Sequence, residues 1–149
     1  MSQVRIESSD PGDAAVHEDL RIVLREQPGR SGDWGERLLA SLAPSLCDPF
    51  GLFLSARSQE GELLGGALAL NRQTPGEASP RPWLAALWVL PRVRNQGLGR
   101  RLMELLEEKL RQRDAREILA SVNPEDDAIL FLGERWGWSR ERLLLSRPL

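Results

Sequence analysis

Two glycines and three arginines in the middle of the chain have the residue types of an anion-binding loop. They are Gly97 and Gly99, with Arg94, Arg100 and Arg101. Glycine has no Cβ, so the backbone can come close to a ligand. The first N–H groups of a following helix have no partner within that helix and can point at an anion. We therefore predict a phosphate-binding loop, with positive charge supplied by the arginines.

The elements on either side of this loop are predicted by apolar patterning. The continuous apolar segment Trp83–Leu90 before it predicts a buried strand. After it, leucines recur at the spacing of one helix face: Leu98, Leu102, Leu105, Leu106 and Leu110. The loop would then connect the end of a strand to the N-terminus of a helix, where helical N–H groups are unpaired.

The rest of the chain predicts a mixed α/β fold. Apolar runs indicate further strands at residues 4–6, 50–56, 63–70, 117–122 and 143–145. Helical spacing indicates three further helices: one capped within Ser8–Asp10 with Pro11 in its first turn, one over Trp34–Leu42, and one over Ala128–Trp136 stopped by Gly137. Residues 71–82 would be a linker. The order β-α-α-β-β-β-α-β-α-β gives helices covering a sheet that cannot be all parallel.

Two common nucleotide-binding loops do not fit the glycine segment. A mononucleotide loop ends in Gly-Lys-Ser/Thr, whereas Gly99 is followed by Arg100 and Arg101. A dinucleotide loop needs three glycines in an early βαβ unit. A purely structural turn is the remaining alternative. It is disfavoured because each basic residue at a helix N-terminus opposes the helix dipole by about 0.3 kcal/mol or more, which a bound anion would offset.

Two segments, in order along the chain, resemble signatures of one enzyme family. Arg94-Asn95-Gln96-Gly97-Leu98-Gly99 is similar to the Arg/Gln-x-x-Gly-x-Gly/Ala signature of the GNAT superfamily of N-acetyltransferases. Ala128–Trp138 resembles that family's late Ala-Ile-x-Phe-Tyr-x-x-x-Leu-Gly-Phe segment. The resemblance implies a GNAT-like, largely antiparallel central sheet with helices on both faces. It also implies transfer of an acetyl group from acetyl-CoA to a primary amine of a small molecule or protein.

The resemblance assigns binding roles to two groups of residues. Backbone N–H groups and one guanidinium would hold the pyrophosphate of coenzyme A, from Arg94, Asn95, Gln96, Gly97, Leu98, Gly99 and Arg100. The strand end would pair with the pantetheine arm as an added strand, through Leu87, Trp88, Val89 and Leu90. A backbone N–H near Val89 would polarise the thioester carbonyl. Asn123 is either a pantetheine contact or part of an Asn-Pro helix-capping turn.

The sequence identifies no catalytic residue for proton transfer. An amine with a pKa near 10.4 must lose a proton before it can attack. Family members often carry a glutamate on the strand before the loop, but residues 83–90 contain no acid. The candidate bases are Glu26, Asp33 and Glu36, or ordered water. The position of the family's tyrosine acid is Leu132, and the chain has no tyrosine. A catalytically weak or inactive acyl-CoA-binding sensor or scaffold with the same fold is therefore the alternative function.

Composition limits the remaining classes of protein. The 149 residues predict one N-acetyltransferase-like domain over 1–149. A net charge of −2 gives no general attraction to nucleic acid. The apolar runs are shorter than the roughly 20 residues of a membrane span, so we expect a cytoplasmic protein without a membrane partner. One histidine and one cysteine argue against a metal site and an internal disulfide. A homodimer would form through the last strand.

Overall fold

The structure is a computed structural model that describes residues 3–27, 32–42, 49–72, 81–122, 125–141 and 145–149. Within these residues one sheet has its strands in chain order: β1 Arg5–Ser9, β2 Leu52–Arg57, β3 Leu63–Arg72, β4 Arg81–Val89 and β5 Leu119–Ala120. Neighbours from β1 to β4 are antiparallel, and β5 is parallel to β4. The described helices are α1 His17–Arg25, α2 Trp34–Ser41, α3 Leu98–Gln112 and α4 Asp127–Arg135.

Helices cover both faces of this sheet. On one face α1 and α2 bury Leu20, Val23 and Leu39 against Phe53 and Trp88. On the opposite face α3 buries four of the five leucines predicted for it, together with Met103, while Leu105 is only partly buried. The predicted mixed α/β fold, with a largely antiparallel sheet between helices, is confirmed. No helix among the described residues is long and apolar enough to cross a membrane.

Adjacent glycines in β3 allow a helix to pack closely on each face. A Cβ on Gly65 would lie 2.9 Å from the carbonyl oxygen of Trp88 and 3.3 Å from Cδ1 of Leu102 in α3. A Cβ on Gly66 would lie 2.7 Å from Cγ2 of Val23 in α1. All three distances are below ordinary van der Waals contact, so larger residues would push α1 and α3 away from the sheet.

A β-bulge interrupts the middle of β4. Leu68 pairs with Ala86 and the next residue, Ala69, pairs with Leu84, which leaves Ala85 as the extra residue. Ala85 and Ala86 both pack on the α1 side of the sheet, whereas the residues before and after them pack on the α3 side. The bulge therefore shifts by one residue the alternation of β4 side chains between the two faces of the sheet.

Several element boundaries differ from the sequence predictions. The first helix begins at His17 rather than near Asp10, because the side chains of Asp10 and Asp13 accept the N–H groups of Gly12 and Ala15 at 2.9 and 3.0 Å and form turns instead. The predicted linker 71–82 overlaps both strands, since β3 extends to residue 72 and β4 begins at residue 81.

The end of the chain also departs from prediction. β5 spans two residues rather than residues 117–122. Of the predicted last strand, Leu145 is 81% exposed and lies in no strand, while Leu143 and Leu144 fall outside the described residues. Cys47 and Asn123 also fall outside them.

Candidate functional site

The outer edge of β4 is unpaired over its second half among the described residues. On this side β4 pairs with β5 at two positions, Trp83 with Leu119 and Leu84 with Ala120. On the other side its pairing with β3 continues to Val89. Beyond Leu84 the backbone of β4 therefore presents an edge that no described strand pairs with, and we call the space beside this edge the gap.

Hydrogen bonding shows which residues of β4 face the gap. The N–H of Leu90 donates to the carbonyl of Leu64 at 2.8 Å, so Leu90 faces β3. The backbone N–H and carbonyl groups of successive strand residues point to opposite sides of the strand. Those of Trp88 therefore also point toward β3, while those of Leu87 and Val89 point away from it. Side chains on the open side agree with this assignment. Gln27 Nε2 lies 3.4 Å from the Leu87 carbonyl, and Arg94 Nε donates to the Val89 carbonyl at 2.8 Å.

The loop that follows β4 has two residues in the left-handed backbone region. A 3-10 turn at Pro91–Val93 leads into it, and Asn95 has φ 63°. Gly97 has φ 85° and is the N-cap of α3, where no side chain caps the helix. A Cβ on Gly97 would meet no atom within 4 Å. Glycine is thus favoured at position 97 by its positive φ and not by neighbouring atoms. The space beside it is open.

Unpaired backbone donors converge at the start of α3. The first N–H bonded along the helix is that of Arg101, which donates to the carbonyl of Gly97 at 3.0 Å. The N–H groups of residues 98–100 precede it and have no acceptor one turn back within the helix. Residues 94–97 are exposed. This arrangement fits the phosphate-binding loop expected from the sequence.

The arginines of the loop differ in their partners. Arg100 Nε forms an ion pair with Glu104 Oε1 at 3.1 Å, one turn along α3, and both side chains are exposed. Arg94 Nη2 lies 3.9 Å from Glu26 Oε2. The first turn of α3 contains no acidic residue. No carboxylate within that first turn therefore opposes an anion at its N–H groups.

The C-terminal end of α1 contacts β4 beside this loop. Trp88 Nε1 donates to Glu26 Oε2 at 3.0 Å, and the indole is 7% exposed. Gln27, the next residue, reaches the Leu87 carbonyl. The sequence placed Glu26 among three candidate bases without locating it, and it gave no signal for Gln27.

The other two candidate carboxylates have different partners. Glu36 forms an ion pair with Arg21 at 3.0 Å, and Asp33 forms one with Arg37 at 3.3 Å. Each pair is exposed and links residues within the α1–α2 layer. Among the three, Glu26 is the one for which the structure gives a hydrogen bond to β4.

The late segment forms α4 and its predicted stop. Gly137 has φ 89°, and the N–H of Trp138 donates to the carbonyl of Gly133 at 2.9 Å, which is a glycine-capped helix end. Leu132, at the position expected for a tyrosine, is 45% exposed on α4. In the described part of the chain, no group of three histidine, cysteine or acidic side chains could hold a metal ion.

The comparison with known protein families shows which family has this fold and loop. The model of the acetyltransferase (GNAT) family matches residues 17–138, which include β4, the loop that follows it, β5 and α4. The chain belongs to the GNAT acetyltransferase family. This GNAT protein is therefore an acyltransferase whose cosubstrate is acetyl-CoA. A comparison with curated protein sequences finds no significant match.

Solved structures share the GNAT fold over nearly the whole chain. The aminoglycoside N-acetyltransferase AAC(6')-Iy, in complex with the bisubstrate analogue CoA-S-monomethyl-acetylneamine, is 21% identical, with 99% of both chains covered and a TM-score of 0.69. The aminoglycoside 6'-N-acetyltransferase AAC(6')-IG from Acinetobacter haemolyticus is 18% identical, with 97% of this chain and 99% of that chain covered and a TM-score of 0.71. An aminoglycoside acetyltransferase from an uncultured soil metagenomic sample, in complex with sisomicin, is 17% identical, with 98% and 95% covered and a TM-score of 0.68.

Proposed function

We propose that this GNAT protein transfers the acetyl group of acetyl-CoA to a primary amine of a small molecule. The observation that carries the proposal is the open edge of β4, which ends directly in a loop of unpaired N–H donors. A strand edge suits an extended arm that contains amides, and the donor loop suits the pyrophosphate at the end of that arm. The aminoglycoside acetyltransferases of the same fold favour a small-molecule acceptor over a protein.

In this proposal the two outward-facing residues of β4 take the pantetheine arm. Leu87 and Val89 offer their backbone N–H groups to it, and the arm would take the place of Gln27 at the Leu87 carbonyl. Trp88 and Leu90 keep the strand attached to β3. The Val89 N–H lies at the end of the open edge and would stabilise negative charge on the thioester oxygen. The N–H groups of Asn95–Gly99 and the guanidinium of Arg100 would hold the pyrophosphate. The N–H of Arg94, which was expected to join them, donates instead to the Pro91 carbonyl at 3.3 Å.

The reaction requires a neutral amine and a leaving thiol. The lone pair of the amine forms the new C–N bond, and the C–S bond then breaks with its electron pair remaining on sulfur. One proton leaves the acceptor ammonium for solvent before attack, and the second leaves nitrogen as the amide forms and is taken up by the thiolate. A thiol with a pKa near 8.5 is an adequate leaving group, so transfer does not depend on a tyrosine at position 132.

The cofactor half of the proposal is tested by calorimetry with acetyl-CoA on the wild type and on Gly99→Glu. A Cβ on Gly99 would meet only Cγ2 of Val89, at 3.6 Å, so the variant should fold. Its carboxylate would repel the pyrophosphate, and we expect binding to fall below detection. Gly32→Glu is the matched control, because a Cβ there meets nothing within 4 Å. Equal binding by Gly99→Glu and the wild type would contradict the proposed loop.

A second candidate function is an acyl-CoA sensor without turnover. It is favoured by the exposed Leu132 at the position where the family's tyrosine acid is expected. Release of free thiol from acetyl-CoA across a panel of primary amines separates the two functions. An enzyme releases thiol in proportion to acetylated amine, whereas a sensor binds acetyl-CoA with no release above the uncatalysed rate.

A further inference from the structure

We propose that Glu26 is the carboxylate that binds the acceptor, so that the acceptor presents its amine as a cation beside the open edge of β4. This inference rests on the proposed acetyl transfer and adds the charge class of the acceptor and the residue that selects it. Glu26 ends α1 and reaches β4 through Trp88, next to the residues that face the gap.

The carboxylate of Glu26 is oriented and still available. Oε2 accepts the Trp88 indole N–H at 3.0 Å and faces Arg94 Nη2 at 3.9 Å. No residue in the described part of the chain donates a hydrogen bond to Oε1. The side chain is 54% exposed, whereas the indole that holds it is buried. A fixed carboxylate with one free oxygen is suited to an ammonium group, which carries three donors.

The position of Glu26 relative to β4 gives it a role in placing the amine. Trp88 lies between the two residues whose backbone faces the gap, Leu87 and Val89. Arg94 contacts both Glu26 Oε2, at 3.9 Å, and the Val89 carbonyl, at 2.8 Å. An ammonium bound at Glu26 Oε1 would therefore lie near the strand end where the thioester carbonyl is expected. Glu26 holds the cation, and the proton leaves to water at this exposed site before the nitrogen attacks.

The contact with Arg94 does not cancel this role. At 3.9 Å it is a long ion pair between half-exposed side chains, and Arg94 Nε is committed to the Val89 carbonyl. An acceptor ammonium can approach the opposite oxygen without breaking either contact. The carboxylates of Glu36 and Asp33, in contrast, are paired with arginines of their own helix layer.

The test measures thiol release with three cationic amines, kanamycin, spermidine and a lysine peptide, in the wild type and in Glu26→Gln. Glutamine keeps the shape and the contact with Trp88 but removes the charge. For the amine used best by the wild type, we expect KM to rise about tenfold or more, with kcat and the Kd for acetyl-CoA within about twofold. Trp88→Phe removes the indole N–H that orients Glu26 and should raise the same KM by a smaller factor.

Two further variants separate a specific site from a general loss of negative charge. Glu18→Gln makes the same change at an exposed position of α1, at the other end of the helix, and should leave KM unchanged. Glu7→Gln removes an exposed carboxylate that is paired with Arg5 on β1 and should also leave it unchanged. An unchanged KM in Glu26→Gln, or an equal rise in Glu18→Gln or Glu7→Gln, would overturn the role of Glu26 and leave the proposed function standing. Absence of thiol release by the wild type with all three amines would overturn the proposed function, and this inference with it.

Discussion

A Cβ atom on Gly66 would lie 2.7 Å from Cγ2 of Val23, so a glycine in β3 sets how closely α1 approaches the sheet. The same Cβ would lie 3.1 Å from Phe53 and 3.2 Å from the Leu54 carbonyl oxygen. We predict that Gly66→Ala lowers the free energy of unfolding by about 1–3 kcal/mol, because the buried neighbours must move. Urea denaturation followed by circular dichroism measures the change.

The control for this prediction is Gly32→Ala. A Cβ at Gly32 meets no atom within 4 Å, and the backbone there is not left-handed. Its stability should stay within about 0.5 kcal/mol of the wild type. If both alanine variants had the same stability, close packing at Gly66 would not be the constraint.

The ion pair between Arg100 and Glu104 would compete with an anion bound at the loop as we propose. Glu104 Oε1 holds Arg100 Nε at 3.1 Å on the exposed surface of α3. We predict that Glu104→Gln tightens acetyl-CoA binding by about twofold, since an exposed pair of this kind is worth about 0.5 kcal/mol. Calorimetry at low salt measures the Kd. Glu108→Gln, which removes an exposed carboxylate one turn further along α3, should change it less; weaker binding in Glu104→Gln would show that the pair pre-orients Arg100 instead.

The exposed Leu132 offers a way to test for a missing acid. We predict that Leu132→Tyr raises kcat for acetyl transfer, by up to about a hundredfold, because a phenol at this position can protonate the departing thiolate. The Kd for acetyl-CoA should not change. Leu132→Phe carries the same ring without the hydroxyl and is the control. Equal kcat values for the tyrosine and phenylalanine variants would mean that the thiol leaves without an acid from α4.

Gln27 joins α1 to the open edge of β4. Its Nε2 donates to the Val23 carbonyl at 2.9 Å and lies 3.4 Å from the Leu87 carbonyl. We predict that Gln27→Ala lowers the stability of the cofactor-free protein by about 1 kcal/mol without weakening acetyl-CoA binding, because the pantetheine arm would take over the Leu87 carbonyl. Thermal melting with and without acetyl-CoA measures both effects. A several-fold weaker Kd would show that Gln27 supports the bound arm directly.

Local patterns in the sequence were enough to predict the loop and its helix. The leucine spacing of α3 and the glycines before it depend on neighbours along the chain, and the structure has the helix beginning directly after Gly97. The contact between Glu26 and Trp88 joins residues 62 positions apart and could not be read from either segment. The unpaired edge of β4 exists because only two residues of β5 pair with β4. Apolar patterning over residues 117–122 does not specify that number.

The side chains of Gln27 and Arg94, which reach the open edge of β4, also have a consequence for solubility. An unpaired strand edge is a template on which another chain can add a strand and begin to aggregate. Here the two outward carbonyls nearest the loop, those of Leu87 and Val89, are already engaged by Gln27 and Arg94. Before its cosubstrate arrives, the protein thus shields with its own side chains the edge that a second copy could otherwise extend.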